Sequence, residues 1–194
     1  MRRTTRRAQF ADREFEYLGK FAAKVSQVHI DITPGRGRIS VGPPGGPTET
    51  IPASVTVTIT DTLPYDVEAR LEWSPTVGKL AVRRVTCTAL PGGEDVSPAG
   101  IARISLRDTI QAVLEAEYLG ATSWQGLLDK YSDHDPLAVD ALIYLLAVAF
   151  QSLKPTATVA IARGLSPASG PKRVLAARRA GLLPETEPGK PAGA

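Results

Sequence analysis

KPTATVAIARGLSPASGPKRVLAARRAGLL, which spans residues 154–183, has the pattern of two short helices joined by a turn. The first helix is predicted over residues 156–163 and ends at Gly164, because glycine tolerates the left-handed backbone that closes a helix. Pro171 sets the start of the second helix, since a proline inside a helix costs about 3 kcal/mol but is tolerated in the first turn. We therefore expect the second helix to begin at Ser169, after a turn longer than the usual length of about three or four residues.

The second helix is strongly basic on one side. Residues 169–179 contain four cationic side chains and no acid. With Val174 at the centre of the buried face, a helical projection places Lys172 and Arg179 on the opposite side. Ser169 also lies on that side, and Arg173 flanks it. Such a stripe of cations is typical of a helix that lies against phosphates in the major groove of DNA. The predicted DNA-contacting residues are Thr156, Ser169, Lys172, Arg173, Arg178 and Arg179.

These residues are expected to contact DNA in two ways. Lys172, Arg173 and Arg179 are expected to bind phosphates or base edges, and Arg178 is expected to bind the DNA backbone. Thr156 and Ser169 are expected to donate hydrogen bonds to phosphate from the two helix N-termini. The alternative is a plain helical hairpin whose arginines are only solvated.

The same segment is similar to a known type of domain. Residues 159–166 (VAIARGLS), 172–174 (KRV) and 180–184 (AGLLP) resemble the C-terminal helix-turn-helix of actinobacterial DNA-binding proteins. The resemblance covers about the last fifty residues. It implies a transcriptional regulator that binds double-stranded DNA. Because operators are usually read by two-fold symmetric dimers, it also implies a homodimer.

The resemblance assigns packing roles to several residues. It implies that Ala160 and Gly164 are the small residues where the two helices meet. Arg163 stands where the pattern usually has an apolar residue, so its aliphatic stem is expected to do the packing there. The implied core residues of the motif are Val159, Leu165 and Val174.

A third helix precedes this motif. Asp135 is a typical N-cap residue and Pro136 is favoured at the first helical position. The helix that they open, over residues 137–153, is apolar nearly all round. It is expected to be buried between the sheet described below and the C-terminal motif, or at a dimer interface. Together the three helices form a predicted unit over residues 135–184.

The first half of the chain has the period of two that is typical of strands. Apolar and polar residues alternate over residues 28–32, 55–60 and 67–73, which predicts an antiparallel sheet of four or five strands with one buried face. In the last strand the apolar parity changes at Arg83-Arg84, which predicts either a β-bulge or a strand that is covered on the opposite face at one end. An amphipathic helix over residues 9–25 is expected to pack on this sheet.

Helices follow the sheet. Residues 105–120 have a capping box and an apolar stripe, and Trp124 begins the apolar positions of a shorter helix. The predicted fold class is therefore α+β: an N-terminal helix and an antiparallel sheet, followed by an all-α C-terminal helix-turn-helix unit.

Charge is distributed unevenly along the 194 residues. The net formal charge is +5 over residues 1–43, −6 over 44–135 and +4 over 136–194. The predicted organisation is a basic arm over 1–8, an α+β domain over 9–130, the helix-turn-helix unit over 135–184 and a disordered tail over 185–194. The arm either reaches into a minor groove or is a solvated terminus. Its basic residues are Arg2, Arg3, Arg6 and Arg7.

Composition argues against several other classes. With two histidines and one cysteine, few groups are suited to general-base or thiol chemistry, so we expect no enzyme and no cofactor. Asp133-His134-Asp135 is better explained as a loop and N-cap than as a metal site. A lone Cys87 and the lack of a long apolar span favour a cytoplasmic protein without membrane contact. The alternative function is an assembly subunit of phage or defence-system type, in which the acidic sheet domain binds a basic protein partner.

Overall fold

The computed structural model describes residues 29–60, 65–93, 95–102, 106–119 and 123–185. The predicted basic arm, the predicted helix over residues 9–25 and the predicted tail from residue 186 onward lie outside these ranges. The described part of the chain combines antiparallel strands with C-terminal helices, which confirms the α+β class.

In the described part of the chain, six strands form two antiparallel sheets. They are β1 (His29–Pro34), β2 (Arg38–Val41), β3 (Glu49–Pro52), β4 (Ser54–Thr60), β5 (Tyr65–Ser74) and β6 (Lys79–Ala89). The larger sheet has the strand order β1-β4-β5-β6, and β2 pairs with β3 in a separate hairpin. The sequence did not predict this hairpin, because each of its strands is only four residues long. Its turn does lie in the Gly/Pro-rich segment 42–47, where turn chemistry is found.

The register of the larger sheet follows the alternation in the sequence. On β4, Val55, Val57 and Ile59 are at most 1% exposed, whereas the residues between them are half-buried. Arg84 lies opposite Arg70, but Val82 lies opposite the next residue of β5, so that Arg83 is an extra residue in the ladder. The predicted bulge is therefore confirmed.

Six helices are found among the described residues. They are α1 (Pro98–Ala102), α2 (Leu106–Leu119), α3 (Ser123–Lys130), α4 (Pro136–Ala149), α5 (Pro155–Ala162) and α6 (Ser169–Arg179). The start of α4 agrees with the prediction, since the Asp135 side chain accepts a hydrogen bond from the Leu137 amide at 3.0 Å. The predicted end of this helix at residue 153 is wrong. Gln151 adopts a left-handed backbone (φ 67°), and the Ser152 amide closes the helix by donating to the Ala147 carbonyl at 2.8 Å.

Helix α4 lies at the centre of the molecule. Ten of its fourteen residues are buried, and it contacts the β2–β3 hairpin, β6, α3, α5 and α6. At its end, the Gln151 side chain donates to the Leu80 carbonyl of β6 at 2.5 Å, while the Gln151 carbonyl accepts from Arg107 of α2 at 3.1 Å. The predicted burial between the sheet and the C-terminal helices is confirmed, and one apolar cluster runs from the sheet through α4 to α6.

None of the helices in the described ranges has the length and apolar character needed to span a membrane.

Candidate nucleic-acid interface

Helices α5 and α6 are joined by a tight connection. Helix α5 ends at Ala162, one residue before the predicted end, and is closed by Gly164 as predicted. The φ of Gly164 is +64°, and the Leu165 amide donates to the Ala160 carbonyl at 2.9 Å. This pair of features is a Schellman cap, which needs a left-handed residue and therefore favours glycine.

The second helix begins at Ser169, as Pro171 predicts, but the turn before it is shorter than expected. Ala168 already has helical dihedral angles (φ −66°, ψ −17°). The amides of Ser169 and Gly170 donate to the carbonyls of Ser166 and Pro167, at 2.9 and 3.3 Å, in the i to i+3 pattern of a 3₁₀ turn. The helical path therefore starts just after Ser166, and the irregular part of the turn is short.

The two helices approach most closely at Gly170 rather than at Gly164. A Cβ atom on Gly170 would lie 2.0 Å from the Thr156 carbonyl oxygen and 3.4 Å from the Ala160 Cβ. No atom lies within 4 Å of the corresponding Cβ position on Gly164. Ala160 is thus a small residue at the contact as expected, but its partner is Gly170, and Gly164 is required only for its backbone angle.

The core of the motif is smaller than the resemblance implies. Val159 and Val174 are 0% and 1% exposed, in agreement with their predicted roles. Leu165 is 42% exposed and does not belong to the core.

A buried carboxylate connects all three helices of the unit. Asp140 of α4 has no exposed surface, and its two oxygens accept from Arg163 Nε at 2.7 Å and from Arg173 Nε at 2.5 Å. Arg163 also donates to the Pro136 carbonyl at 2.9 Å. Arg163 therefore binds α4 with its charge and not only with its aliphatic stem. Arg173, predicted to contact DNA, has a side chain that is 29% exposed but is paired with Asp140, because a buried carboxylate requires a cationic partner.

Arg178 is also directed into the protein. Its Nη2 donates to the Tyr144 hydroxyl of α4 at 3.1 Å, and its guanidinium carbon lies 5.4 Å from the centre of the Tyr144 ring. Its Nε is buried and has no hydrogen-bond partner among the residues that the structure describes. Arg178, predicted to bind the DNA backbone, thus makes a cation–π and hydrogen-bond contact with α4.

Three side chains of α6 form a face that points to solvent. Lys172 and Arg179 are exposed, and Leu175, between them, is 46% exposed. We call these three residues the outward face of α6. They are separated by three and four positions, which places them in line along one side of a helix.

The two predicted phosphate-binding hydroxyls have different surroundings. Ser169 is half-buried, its Oγ lies 3.2 Å from the Ser166 Oγ, and its amide already has an acceptor. The start of α6 therefore has little capacity left for phosphate. Thr156 is half-buried in the first turn of α5, which begins with Pro155 and has no side-chain cap. The first amides of a helix have no acceptor within the helix, so this end retains donors for an anion.

The sheet domain does not present a uniformly acidic face. Glu72 of β5 forms ion pairs with Arg70 at 2.9 Å and with Arg83 at 4.0 Å. Near the β2–β3 hairpin, Glu49 is paired with Lys130 at 2.5 Å. These two acids are therefore partly neutralised by local cations. No group of three or more metal-ligating side chains occurs among the residues that the structure describes.

Sequence reasoning missed four residues of this site: Asp140, Tyr144, Gly170 and Leu175. A signal existed for Asp140, since one acid in an otherwise apolar, buried helix must find a cation. Comparison with models of protein families, with curated proteins and with solved structures found no match to the chain. The resemblance to actinobacterial DNA-binding proteins therefore stays a prediction.

Proposed function

We propose that this protein binds double-stranded DNA through the outward face of α6, as a transcriptional regulator with a C-terminal helix-turn-helix. The observation that carries the proposal is the exposure of Lys172 and Arg179 on a helix without acids, whose other side is fixed to α4 and α5. Exposed cations on a firmly held helix are what binding to phosphates in the major groove requires.

The shape of α6 supports close approach to DNA. The major groove is about 12 Å wide and admits one helix. Around the outward face, the exposed or half-buried residues Ala168, Pro171 and Ala176 are small. These side chains favour a close approach of the α6 backbone to the groove.

The cations of α6 divide into two roles in this proposal. Lys172 and Arg179 contact phosphates or base edges. Arg173 and Arg178 do not contact DNA; they position α6 through Asp140 and Tyr144. The free amides at the start of α5, beside Thr156, bind one phosphate of the backbone.

Two further parts of the proposal concern the whole protein. A homodimer would present two α6 helices to adjacent turns of the major groove, as two-fold symmetric operators require. The basic arm with Arg2, Arg3, Arg6 and Arg7 would add contacts to the minor groove.

The test is a charge reversal on the outward face. The full chain and its Lys172→Glu/Arg179→Glu variant are titrated with fluorescent duplexes of random sequence, at several salt concentrations. For the wild type, the logarithm of the binding constant should fall linearly with the logarithm of the salt concentration, with a slope of about −0.9 per neutralised phosphate. The variant should bind more than about tenfold more weakly and show a shallower slope.

A matched control distinguishes an effect of this site on DNA affinity from an effect of the total charge. Arg83→Glu/Arg84→Glu makes the same change in charge at two exposed positions of β6 and should leave the affinity nearly unchanged. Equal affinity of the wild type and the α6 variant would exclude this site. If the wild type binds no duplex at low salt, DNA binding is excluded and the assembly-subunit function is favoured.

A further inference from the structure

The outward face of α6 carries few types of functional group. Residues 169–179 contain no Asn, Gln, Asp or Glu, and the hydroxyl of Ser169 lies 3.2 Å from that of Ser166. In the major groove, adenine is read mainly by Asn or Gln and cytosine by Asp or Glu. Cations read guanine, and apolar side chains contact the C5-methyl group of thymine. The side chains of this face are therefore suited to contacts with guanine and thymine.

Leu175 occupies the centre of this face. It is 46% exposed, three residues after Lys172 and four before Arg179. The apolar side of α6 is formed by other residues, Val174 and Ala177, which are 1% and 0% exposed. Leu175 therefore contributes little to the core, and cations on both sides of it would draw DNA against its side chain.

We propose that Leu175 is a specificity-determining residue that contacts the C5-methyl group of a thymine in the major groove. This inference rests on the proposed DNA binding and adds to it the identity of one recognised base. Lys172 and Arg179 supply binding affinity that depends on the salt concentration. Leu175 supplies the preference for a base with a methyl group, and this preference does not depend on salt because an apolar contact is not screened by ions.

The experiment removes single methyl groups from the DNA and leaves the protein unchanged. Duplexes are first selected by the full chain from a random pool. Each thymine of a selected duplex is then replaced in turn by deoxyuridine, which keeps the base pair and lacks the methyl group. We expect binding to weaken by about threefold to tenfold at one thymine position of the site, the effect of losing about one buried methyl group.

Variants of the protein then assign the contact. Leu175→Ala should bind the thymine and uracil duplexes equally, and because its side chain is exposed it should fold like the wild type. Ile101→Ala, which alters a side chain on α1 that is 43% exposed, should keep the discrimination.

Each contrary outcome has a distinct meaning. If the wild type binds thymine and uracil duplexes equally at every position, the thymine contact is overturned while DNA binding stands. Discrimination that survives in Leu175→Ala would overturn the assignment to this residue. Failure to bind any duplex would overturn both this inference and the proposed function.

Discussion

Asp140 is the residue on which the position of α6 depends most directly. It is fully buried, yet its two partners Arg163 and Arg173 have side chains that are 23% and 29% exposed. A buried ion pair is not in itself evidence of stability, because removing charges from water offsets much of their attraction. Its role here is geometric, since one carboxylate fixes the turn and α6 to α4 at the same point.

Replacing this carboxylate should destabilise the fold. In Asp140→Asn, the amide nitrogen faces an arginine donor, and one of the two guanidinium groups loses its acceptor. We expect the free energy of unfolding to fall by about 3 kcal/mol. This value is near the lower end of the range for removing one partner of a buried ion pair, because both arginines can reach water. Urea denaturation measures this change.

The control for this variant is Asp133→Asn, in the exposed loop before α4. It should change the unfolding free energy by less than about 0.5 kcal/mol. If Asp140→Asn is as stable as the wild type, apolar contacts and the Arg178–Tyr144 contact are sufficient to hold α6 in place, and Arg173 becomes available as a DNA ligand.

At the scale of elements, the packing of α6 on α5 depends on the absence of one side chain. Gly170 lies so close to the Thr156 carbonyl that a Cβ atom would overlap it, at 2.0 Å. In a helix without such a neighbour, Gly→Ala is stabilising by roughly 0.5–1 kcal/mol. The sign of the change therefore reports whether the two helices are in contact.

We expect Gly170→Ala to be destabilising by about 1–3 kcal/mol, the usual effect of overpacking. It should also weaken binding to duplex DNA, because α6 must move away from α5. Thermal denaturation and the titration described above measure the two effects. For comparison, a Cβ atom at Gly164 would meet no described neighbour, but the backbone there has a φ of +64°. Gly164→Ala should therefore lower the free energy of unfolding only by the local strain, about 1–2 kcal/mol. A stabilising Gly170→Ala would show that α5 and α6 are not packed as described.

Local chemistry explains which elements could be predicted from the sequence. The start of α4 at Asp135 and Pro136, the start of α6 two residues before Pro171 and the bulge at Arg83 each depend on a few adjacent residues. These signals are steric or involve a single hydrogen bond, so neighbouring residues determine them. The end of α4 was not predictable in this way, because Gln151 has no intrinsic preference for a left-handed backbone.

The candidate site was predicted less completely because its contacts are distant in sequence. Asp140 is 23 residues from Arg163 and 33 from Arg173, and Arg178 is 34 residues from Tyr144. A helical projection shows which side of α6 is polar, but it cannot show that α4 supplies a carboxylate beneath that side. Two of the four cations predicted to contact DNA are for this reason engaged within the protein.

At the scale of the whole molecule, α4 belongs to both predicted units. Its buried residues join one apolar cluster that includes β4 and β5 on one side and Val174 and Ala177 on the other. Gln151, just after α4, adds hydrogen bonds to β6 and α2. A three-helix unit cut away from the sheet would expose much of this apolar surface. We infer that the sheet and the C-terminal helices stabilise each other.

This inference predicts a single cooperative unfolding transition for the full chain. Fluorescence of Trp73 and Trp124 follows β5 and α3, whereas far-UV circular dichroism at 222 nm is dominated by the helices, of which α4, α5 and α6 form a large part. In a urea titration, the two signals should change with the same midpoint, as expected for two-state unfolding. Hydrogen exchange of the α6 amides should then report the global free energy of unfolding rather than a lower local value. A separate, earlier loss of the helical signal would instead show that residues 135–184 fold as an independent unit, in which case α4 needs no support from the sheet.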